Sequence, residues 1–102
     1  MKIIITTCEP HDAPSLLRSL LEKRVVACGN IISQVRSMYW WDGKIQDDAE
    51  VLIVMETTDE KVDLALSEIN KQHPYRVPKI LAWEPSHTNA PYLQWLQKET
   101  QS

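Results

Sequence analysis

Glycine is scarce in this chain of 102 residues, where only Gly29 and Gly43 occur. The glycine-rich loops that cradle phosphates, and the Gly-x-Ser-x-Gly turn that presents a nucleophilic serine, need more glycines at closer spacing. The His-Glu-x-x-His pattern of zinc proteases is absent as well. Because no nucleophile stands beside an evident general base, the sequence predicts a protein that is not an enzyme, with an unknown hydrolase as the weaker alternative.

The chain also lacks an excess of positive charge and any long hydrophobic run. Its 11 Lys and Arg against 14 Asp and Glu give a net charge of −3, which does not attract a phosphate backbone. No stretch approaches the roughly 18 apolar residues of a membrane span, and the apolar start of the chain is too short for a signal peptide. We therefore expect no nucleic-acid partner, no membrane and a cytoplasmic location.

Cysteine is limited to Cys8 and Cys28. A cytoplasmic chain normally keeps its thiols reduced, so a disulfide between them is not expected. A thiolate suits soft ions such as Cu(I), whereas a buried cysteine also serves as a small apolar core residue. Both interpretations stay open for both residues.

Two histidines extend the set of candidate metal ligands. His11 follows Cys8 by three residues in the segment after the first expected strand, and imidazole suits copper and zinc. His73 stands at the expected end of a helix, where the helix dipole alone favours a cationic side chain. Metal sites need three or four ligands, so these residues and Cys28 are candidate ligands without a complete site.

Charged residues of the expected hairpin offer two further candidates. Asp47, Asp48 and Glu50 suit a hard cation such as Mg²⁺ or Ca²⁺, but they lack the glycine and spacing of a calcium loop. A solvated strand edge that discourages pairing is the simpler interpretation. Lys44, with aromatic residues opposite it, offers a cationic anion site or is a solvated lysine.

Hydrophobic periodicity predicts the order β-α-β-β-α-β followed by a terminal helix, within a single domain of residues 1–102. The expected strands are 2–7, 25–32 continuing through 35–41, 44–55 and 79–83, and the expected helices are 12–24, 57–73 and a short one around 92–96, after a loop at 85–91. Asp42-Gly43 predicts a two-residue hairpin turn, and Thr57 with Glu60 matches a capping box. This order is that of an α+β ferredoxin-like sandwich with a long β2–β3 hairpin.

The expected strand at 51–55 is apolar at every position, although successive side chains point to opposite faces of a sheet. Right-handed crossovers place both helices of this fold on one face. The helix-free face is therefore expected to be apolar too, and the neighbours Trp40 and Trp41 cannot both point into one core. Such a surface marks a ligand-binding face or, as we expect, a contact with another subunit.

Motifs in both halves of the chain resemble the CutA family of divalent-cation tolerance proteins. The similarity runs over roughly residues 3–96, and its motifs are 24–28, 30–32, 37–45, 73–75, 77–78 and 92–95. Its most specific parts are Tyr39-x-Trp41-x-Gly43-Lys44 and His73-Pro74-Tyr75-x-x-Pro78.

The resemblance implies a compact homotrimer with PII-like architecture, tolerance of copper and other divalent cations, and no established catalytic reaction. It also implies a pocket between subunits near Cys28, Tyr39, Trp41, Lys44, His73 and Tyr75. We expect a small ligand to contact Tyr39, Trp41, Lys44 and Tyr75, and copper or another divalent metal ion to bind Cys8, His11, Cys28 and His73. The alternative is a PII-like trimeric signalling protein that senses a small anionic metabolite at the subunit interface through Lys44.

Three features depart from the pattern that the resemblance implies. Arg76 and Lys79 stand where the family commonly has acids, and their charges oppose a carboxylate-assisted metal site there. Glu56 stands where a basic residue is common. Gly29 follows Cys28 where a larger residue is usual, which loosens the expected strand.

Overall fold

A computed structural model describes residues 1–101 of the chain as an α+β sandwich whose elements follow the predicted order. The strands are β1 (Lys2–Cys8), β2 (Cys28–Trp41), β3 (Lys44–Thr57) and β4 (Ile80–Trp83), and the helices are α1 (Ala13–Glu22), α2 (Val62–Gln72) and α3 (Ala90–Glu99). The strands form one antiparallel sheet in the order β2-β3-β1-β4. This is the ferredoxin-like arrangement that the sequence predicted, with α3 added at its end.

The β2–β3 hairpin is the longest feature of the molecule, with 14 residues in each strand. Asp42 and Gly43 form its turn at φ values of 53° and 72°, the left-handed geometry of the predicted two-residue turn. The ladder breaks its register once, between Ile32 and Val35, where Gln34 has a φ of 61°. This irregularity lies at the residues where the sequence interrupts its strand pattern, and such bulges increase the local twist.

The start of α2 differs from the predicted capping box. Thr57 is the last residue of β3, is fully buried, and donates a hydrogen bond from Oγ1 to the carbonyl oxygen of Val25 at 2.6 Å. Lys61 stands at the N-cap position, and its backbone N–H contacts the Oγ1 of Thr58 at 3.2 Å. The capping-box prediction was wrong because β3 extends two residues beyond Met55 and takes Thr57 into the core.

The other helix ends differ from the sequence prediction by one to three residues. α3 begins at Ala90, inside the predicted loop, because proline is tolerated in the first turn and Pro91 lies there. Asp12 holds the N-cap position of α1 without a side-chain cap hydrogen bond, and the helix ends at Glu22. Within residues 1–101, no helix has the length and apolar character that would let it cross a membrane.

Helices α1 and α2 cover one face of the sheet, which we call the helix face, and the core lies between them. The buried core side chains include Ile4, Cys8, Val51, Ile53 and Met55 from the sheet and Leu16, Leu17, Leu20, Ala65 and Ile69 from the helices. Burial of one large aliphatic side chain stabilises a fold by about 1.5–3 kcal/mol. The helix face therefore supplies most of the stability of the subunit.

The opposite face of the sheet is apolar as predicted, and α1 and α2 leave it open. The strand register places Ile5, Ile32, Leu52, Val54 and Leu81 beside one another there, and we call this set the apolar face. Ile32 is 46% exposed and Leu81 is 49% exposed. Helix α3 contacts the end of this face, beyond the five residues that define it.

Candidate functional site

A cavity of about 610 Å³ lies between the outer half of the β2–β3 hairpin and the segment that joins α2 to β4. We call it the hairpin cavity. Residues 36–39 and Trp41 of β2, residues 75–77 and Lys79 of the joining segment, Thr7 and Glu50 line it. Its volume falls within the roughly 300–1,000 Å³ of small-molecule sites, so the cavity can hold a ligand of metabolite size.

Glu50 provides the buried polar wall of the hairpin cavity. Its side chain is only 7% exposed, and the hydroxyl of Tyr75 donates a hydrogen bond to its Oε2 at 2.5 Å. Burial, together with this contact, raises the pKa of Tyr75, so the phenol stays protonated and acts as a donor. The interpretation of Glu50 as part of a solvated edge was therefore wrong.

His73 holds the segment that carries Tyr75. Its Nδ1 accepts a hydrogen bond from the backbone N–H of Tyr75 at 3.1 Å, so Nε2 carries the ring proton and donates to the carbonyl oxygen of Thr7 at 2.8 Å. The rings of His73 and Tyr75 pack with centroids 4.8 Å apart. Both ring nitrogens contact the backbone, and a metal ion could bind His73 only by replacing one of these bonds.

Three cationic side chains line the hairpin cavity, and they differ in their partners. Arg36 donates two hydrogen bonds to Asp47, from Nε to Oδ1 at 2.9 Å and from Nη2 to Oδ2 at 2.6 Å. This pairing holds the pKa of Asp47 below its usual range. Arg76 and Lys79 have no carboxylate within 4.0 Å in the described part of the chain. The cavity wall therefore carries two positive charges that no described carboxylate neutralises.

The predicted ligand-contacting residues divide between the cavity and the hairpin tip. Tyr39, Trp41 and Tyr75 all line the hairpin cavity. The hydroxyl of Tyr39 donates a short hydrogen bond to Asp48, which raises the pKa of Tyr39. Lys44 pairs with Trp41 in the β-ladder beside the turn and is not among the residues that line the cavity. Within one subunit, the cations that line the cavity are Arg36, Arg76 and Lys79, and the role of Lys44 stays a prediction.

The two cysteines, both free thiols, lie far apart. Cys8 is fully buried on the helix face opposite Val51, and burial raises its pKa to about 11. Cys28 is half-buried on the other side of the sheet, opposite Glu56. Five residues along β3 correspond to about 17 Å, so the thiols cannot bind one ion within a single chain.

Cys28 has acidic and aromatic neighbours at the end of the sheet. The hydroxyl of Tyr92 donates to Glu56 at 3.4 Å, and Tyr92 stacks on Trp95 with centroids 5.6 Å apart. Burial raises the pKa of Cys28 and also the pKa of the Glu56 carboxyl. The Cys28 thiol therefore stays protonated at neutral pH unless a metal ion displaces its proton.

His11 lies exposed between β1 and α1, between two carboxylates. Its Nδ1 is 3.6 Å from Oε2 of Glu9, and its Nε2 is 3.3 Å from Oδ1 of Asp12. One ligand atom from each of the three residues lies within 4.8 Å of the others. We call this group the His11 cluster. Sequence reasoning identified His11 but not its acidic partners, although both stand within two positions of it.

Comparison with known proteins gives a consistent picture. A family model described as CutA1 divalent ion tolerance protein matches residues 1–99. Human protein CutA is 39% identical over 98 residues, which are 94% of this chain and 54% of the human protein. The chain thus spans about half the length of the human relative. The divalent-cation tolerance protein CutA of Pyrococcus horikoshii is 36% identical over 100 residues, 96% of this chain and 97% of its own length.

Solved structures match the same span. A crystal structure of CutA1 from Pyrococcus horikoshii agrees with a TM-score of 0.92 at 36% identity and covers 100% of both chains. A structure described as the PII-like protein CutA from Nostoc sp. PCC 7120 in apo form agrees with a TM-score of 0.93 at 29% identity, over 99% of this chain and 98% of that chain. The agreement extends over the hairpin, the core and α3.

Proposed function

We propose that this chain, which belongs to the family of CutA1 divalent ion tolerance proteins, binds divalent cations in metal-ion tolerance or response, with copper as the favoured ion. The observation that carries the proposal is the His11 cluster, in which an imidazole and two carboxylates lie within reach of one ion. The relative from Pyrococcus horikoshii carries divalent-cation tolerance in its name, which supports the same class of ligand.

The chemistry of the His11 cluster suits Cu(II) or Zn(II). Imidazole is a good ligand for both ions, and two carboxylates add negative charge that attracts a dication. The ligands are solvent-exposed or partly exposed, so binding does not require a buried charge to be desolvated. Because the metal needs a neutral imidazole, protons compete with the ion and affinity should fall as the pH is lowered.

We keep Cys28, Cys8 and His73 as a second set of proposed metal ligands. The two thiols in this set suit Cu(I). Cys28 is the more accessible thiol and has Glu56 beside it. Cys8 and His73 are buried, which makes them less accessible to an ion than Cys28. We therefore propose that Cys28 binds Cu(I) more readily than Cys8.

We also propose that the chain works as a homotrimer in the cytoplasm, as a binding protein and not as an enzyme. The apolar face, together with Trp40 at 73% exposure and Trp41 at 48%, supports a covering subunit, and the number three comes from the PII-like resemblance. The raised pKa of Cys8 makes this thiol a poor nucleophile, so we do not propose a catalytic role for it. Light scattering should give about three times the 11.8 kDa chain mass.

Metal titration of variants tests the proposal. We expect His11→Ala to weaken Cu(II) binding by about tenfold or more, the effect of about 1.4 kcal/mol, whereas His87→Ala, an exposed histidine outside the cluster, should leave it unchanged. Cu(I) titration of Cys28→Ser and Cys8→Ser shows which thiol contributes more to Cu(I) affinity. The proposal fails if Asp47→Asn with Asp48→Asn abolishes metal binding while the imidazole and thiol variants retain it.

The second candidate function is a PII-like sensor of a small anionic metabolite. It is favoured by the hairpin cavity, where Arg76 and Lys79 lack carboxylate partners in the described residues. The resemblance assigned this role to Lys44, and in our proposal the cavity cations replace it. A thermal-shift screen of anionic metabolites and nucleotides against Arg76→Gln and Lys44→Gln separates the two positions.

A further inference from the structure

The hairpin cavity presents charges of both signs on separate walls. Glu50 is buried on the wall formed by β3, while Arg76 and Lys79 extend from the segment between α2 and β4. No nitrogen of either cation lies within 4.0 Å of the Glu50 carboxylate. The opposite charges therefore do not pair with each other, although all three residues line the same cavity.

Glu50 has one free oxygen. Its Oε2 accepts the hydrogen bond from Tyr75, but within residues 1–101 no side chain or backbone N–H donates to its Oε1. Thr6 Oγ1 is the only buried side-chain polar atom of residues 1–101 that lacks a partner, so the unpaired Oε1 of Glu50 is accessible from the cavity. A ligand that brings an ammonium group to Oε1 would pair with the carboxylate, and a ligand that is only an anion would be repelled from this wall.

The opposite wall suits a carboxylate. The guanidinium of Arg76 can bind both oxygens of a carboxylate at once, and the ammonium of Lys79 adds a second positive charge. Pro74 and Pro78 lie on either side of Arg76, Pro78 directly precedes Lys79, and the fixed φ angles of the two prolines restrict the segment. The cationic wall is thus held on a stiff part of the chain.

Between the two walls the lining is aromatic and apolar. Tyr39, Trp41 and Tyr75 contribute rings, and Met38 and Val77 contribute apolar contacts. Aromatic pairs prefer offset or edge-to-face contacts at centroid distances of about 4.5–7 Å. A ligand ring can make such contacts while its charged groups reach the two walls.

We infer that the hairpin cavity binds a small zwitterion of the α-amino acid class with an aromatic side chain, its ammonium group on Glu50 and its carboxylate on Arg76 and Lys79. This inference goes beyond the cation function and does not depend on it. It rests on the second candidate function, in which the hairpin cavity binds a metabolite. It changes the expected ligand from a simple anion to a molecule that carries both charges.

Three ligands that differ in one charged group test the inference on the purified, assembled protein. L-phenylalanine carries both groups, phenethylamine lacks the carboxylate and 3-phenylpropionate lacks the amine. We expect isothermal titration calorimetry to give the tightest binding for L-phenylalanine, by about tenfold over each of the other two, because a hydrogen bond to a charged group is lost in each case. The ligands do not absorb at the excitation edge of tryptophan, so the emission of the four tryptophans, one of which is Trp41 in the cavity, gives a second reading of the same titrations.

Variants assign each charged group to its wall. Glu50→Gln should bring L-phenylalanine down to the affinity of 3-phenylpropionate, while Arg76→Gln with Lys79→Gln should bring it down to that of phenethylamine. Lys98→Gln, at an exposed lysine of α3 that does not line the cavity, should leave the order of all three unchanged. Because Arg76 and Lys79 are exposed, their variant keeps the fold and retains the test even if Glu50→Gln unfolds.

The outcomes separate this inference from the other proposals. Equal affinity of L-phenylalanine and 3-phenylpropionate would assign the cavity to simple anions and overturn the zwitterion, as would the absence of calorimetric binding by all three. Copper titration of the same protein and variants, in the absence of any amino acid or amine that would chelate the ion, reads the cation function independently. Copper binding without amino-acid binding refutes the inference alone, and amino-acid binding without copper binding refutes the cation function alone.

Discussion

On the helix face of the sheet, Ile53 and Met55 are fully buried under α1 and α2. On the apolar face, their neighbours Leu52 and Val54 are only half-buried, and Leu81 is 49% exposed. Ile53, Met55, Leu52 and Val54 all belong to β3 and differ only in the direction of the side chain. The single chain buries only the helix face. Packing on the helix face therefore stabilises each subunit by itself, whereas the stabilisation gained by covering the apolar face with another subunit should depend on protein concentration.

The largest effect is expected for a truncation on the helix face. Ile53→Ala should lower the free energy of unfolding by about 2–5 kcal/mol, because it leaves a cavity in a fully packed core. Ile32→Ala, at 46% exposure on the apolar face, is the matched control and should lower it much less in the isolated subunit. Urea unfolding at low protein concentration measures both. Equal losses for the two variants would contradict the distinction between the faces.

A truncation at the hairpin should act on assembly more than on folding. Trp41→Ala removes a large side chain that is 48% exposed in the single subunit, and truncating such an anchor typically weakens an interface by about 2 kcal/mol or more. Light scattering over a dilution series should show dissociation at higher concentration than for the unchanged protein. Leu64→Ala, an exposed position on α2, serves as the control. If the Trp41→Ala variant stays assembled at nanomolar concentration, Trp41 does not anchor the interface.

A smaller loss is expected from adding one methyl group to the helix face. A Cβ at Gly29 would lie 2.4 Å from Cδ1 and 3.2 Å from Cγ of Leu17, so Leu17 must move. Gly29→Ala should therefore destabilise the subunit by about 1 kcal/mol or more through overpacking. Combined with Leu17→Ala, the loss should be less than the sum of the single losses. If the loss in the double variant equals the sum of the two single losses, the close approach of Cβ to Leu17 is not the cause of the destabilisation by Gly29→Ala.

The smallest effect is a difference in reaction rate between the two thiols. Cys8 lies on the helix face and Cys28 on the other side of the sheet, so their rates compare the accessibility of the two sides. Cys28 should react with a thiol reagent at pH 8 well before Cys8, because Cys8 is fully buried and its pKa is raised to about 11, so very little thiolate is present. The Cys28→Ser variant isolates the slow reaction, which should accelerate in mild denaturant. Similar rates for both thiols in the folded protein would show that the helix face opens easily.

The sequence predicted the fold better than the ends of its elements. Long apolar periods and the Asp42-Gly43 turn are local signals, and they placed every strand and helix in order. The capping box failed because Thr57 satisfies a local pattern but is drawn into the core by the register of β3 with β1. Tertiary packing decided between two local patterns, and a single sequence does not contain that information in local form.

The candidate site was less predictable because its parts come from distant segments. Tyr39, Trp41 and Tyr75 entered through the family resemblance, and the structure brings all three to one cavity. Glu50 was assigned to an acidic edge, since nothing near it in the sequence signals a partner 25 residues later. The His11 cluster is local, and it could have been found by considering the carboxylates beside His11 together with it.

The length of the β2–β3 hairpin has a hydrodynamic consequence. The described chain measures 45 × 26 × 21 Å, with a radius of gyration of 14.3 Å, against about 13 Å for an ordinary compact chain of this size. An elongated particle meets more friction than a sphere of equal mass and elutes earlier from a sizing column. A dissociated subunit will therefore run ahead of a spherical 11.8 kDa marker, and sedimentation or diffusion data must be fitted with this elongated shape before any change in assembly is quantified.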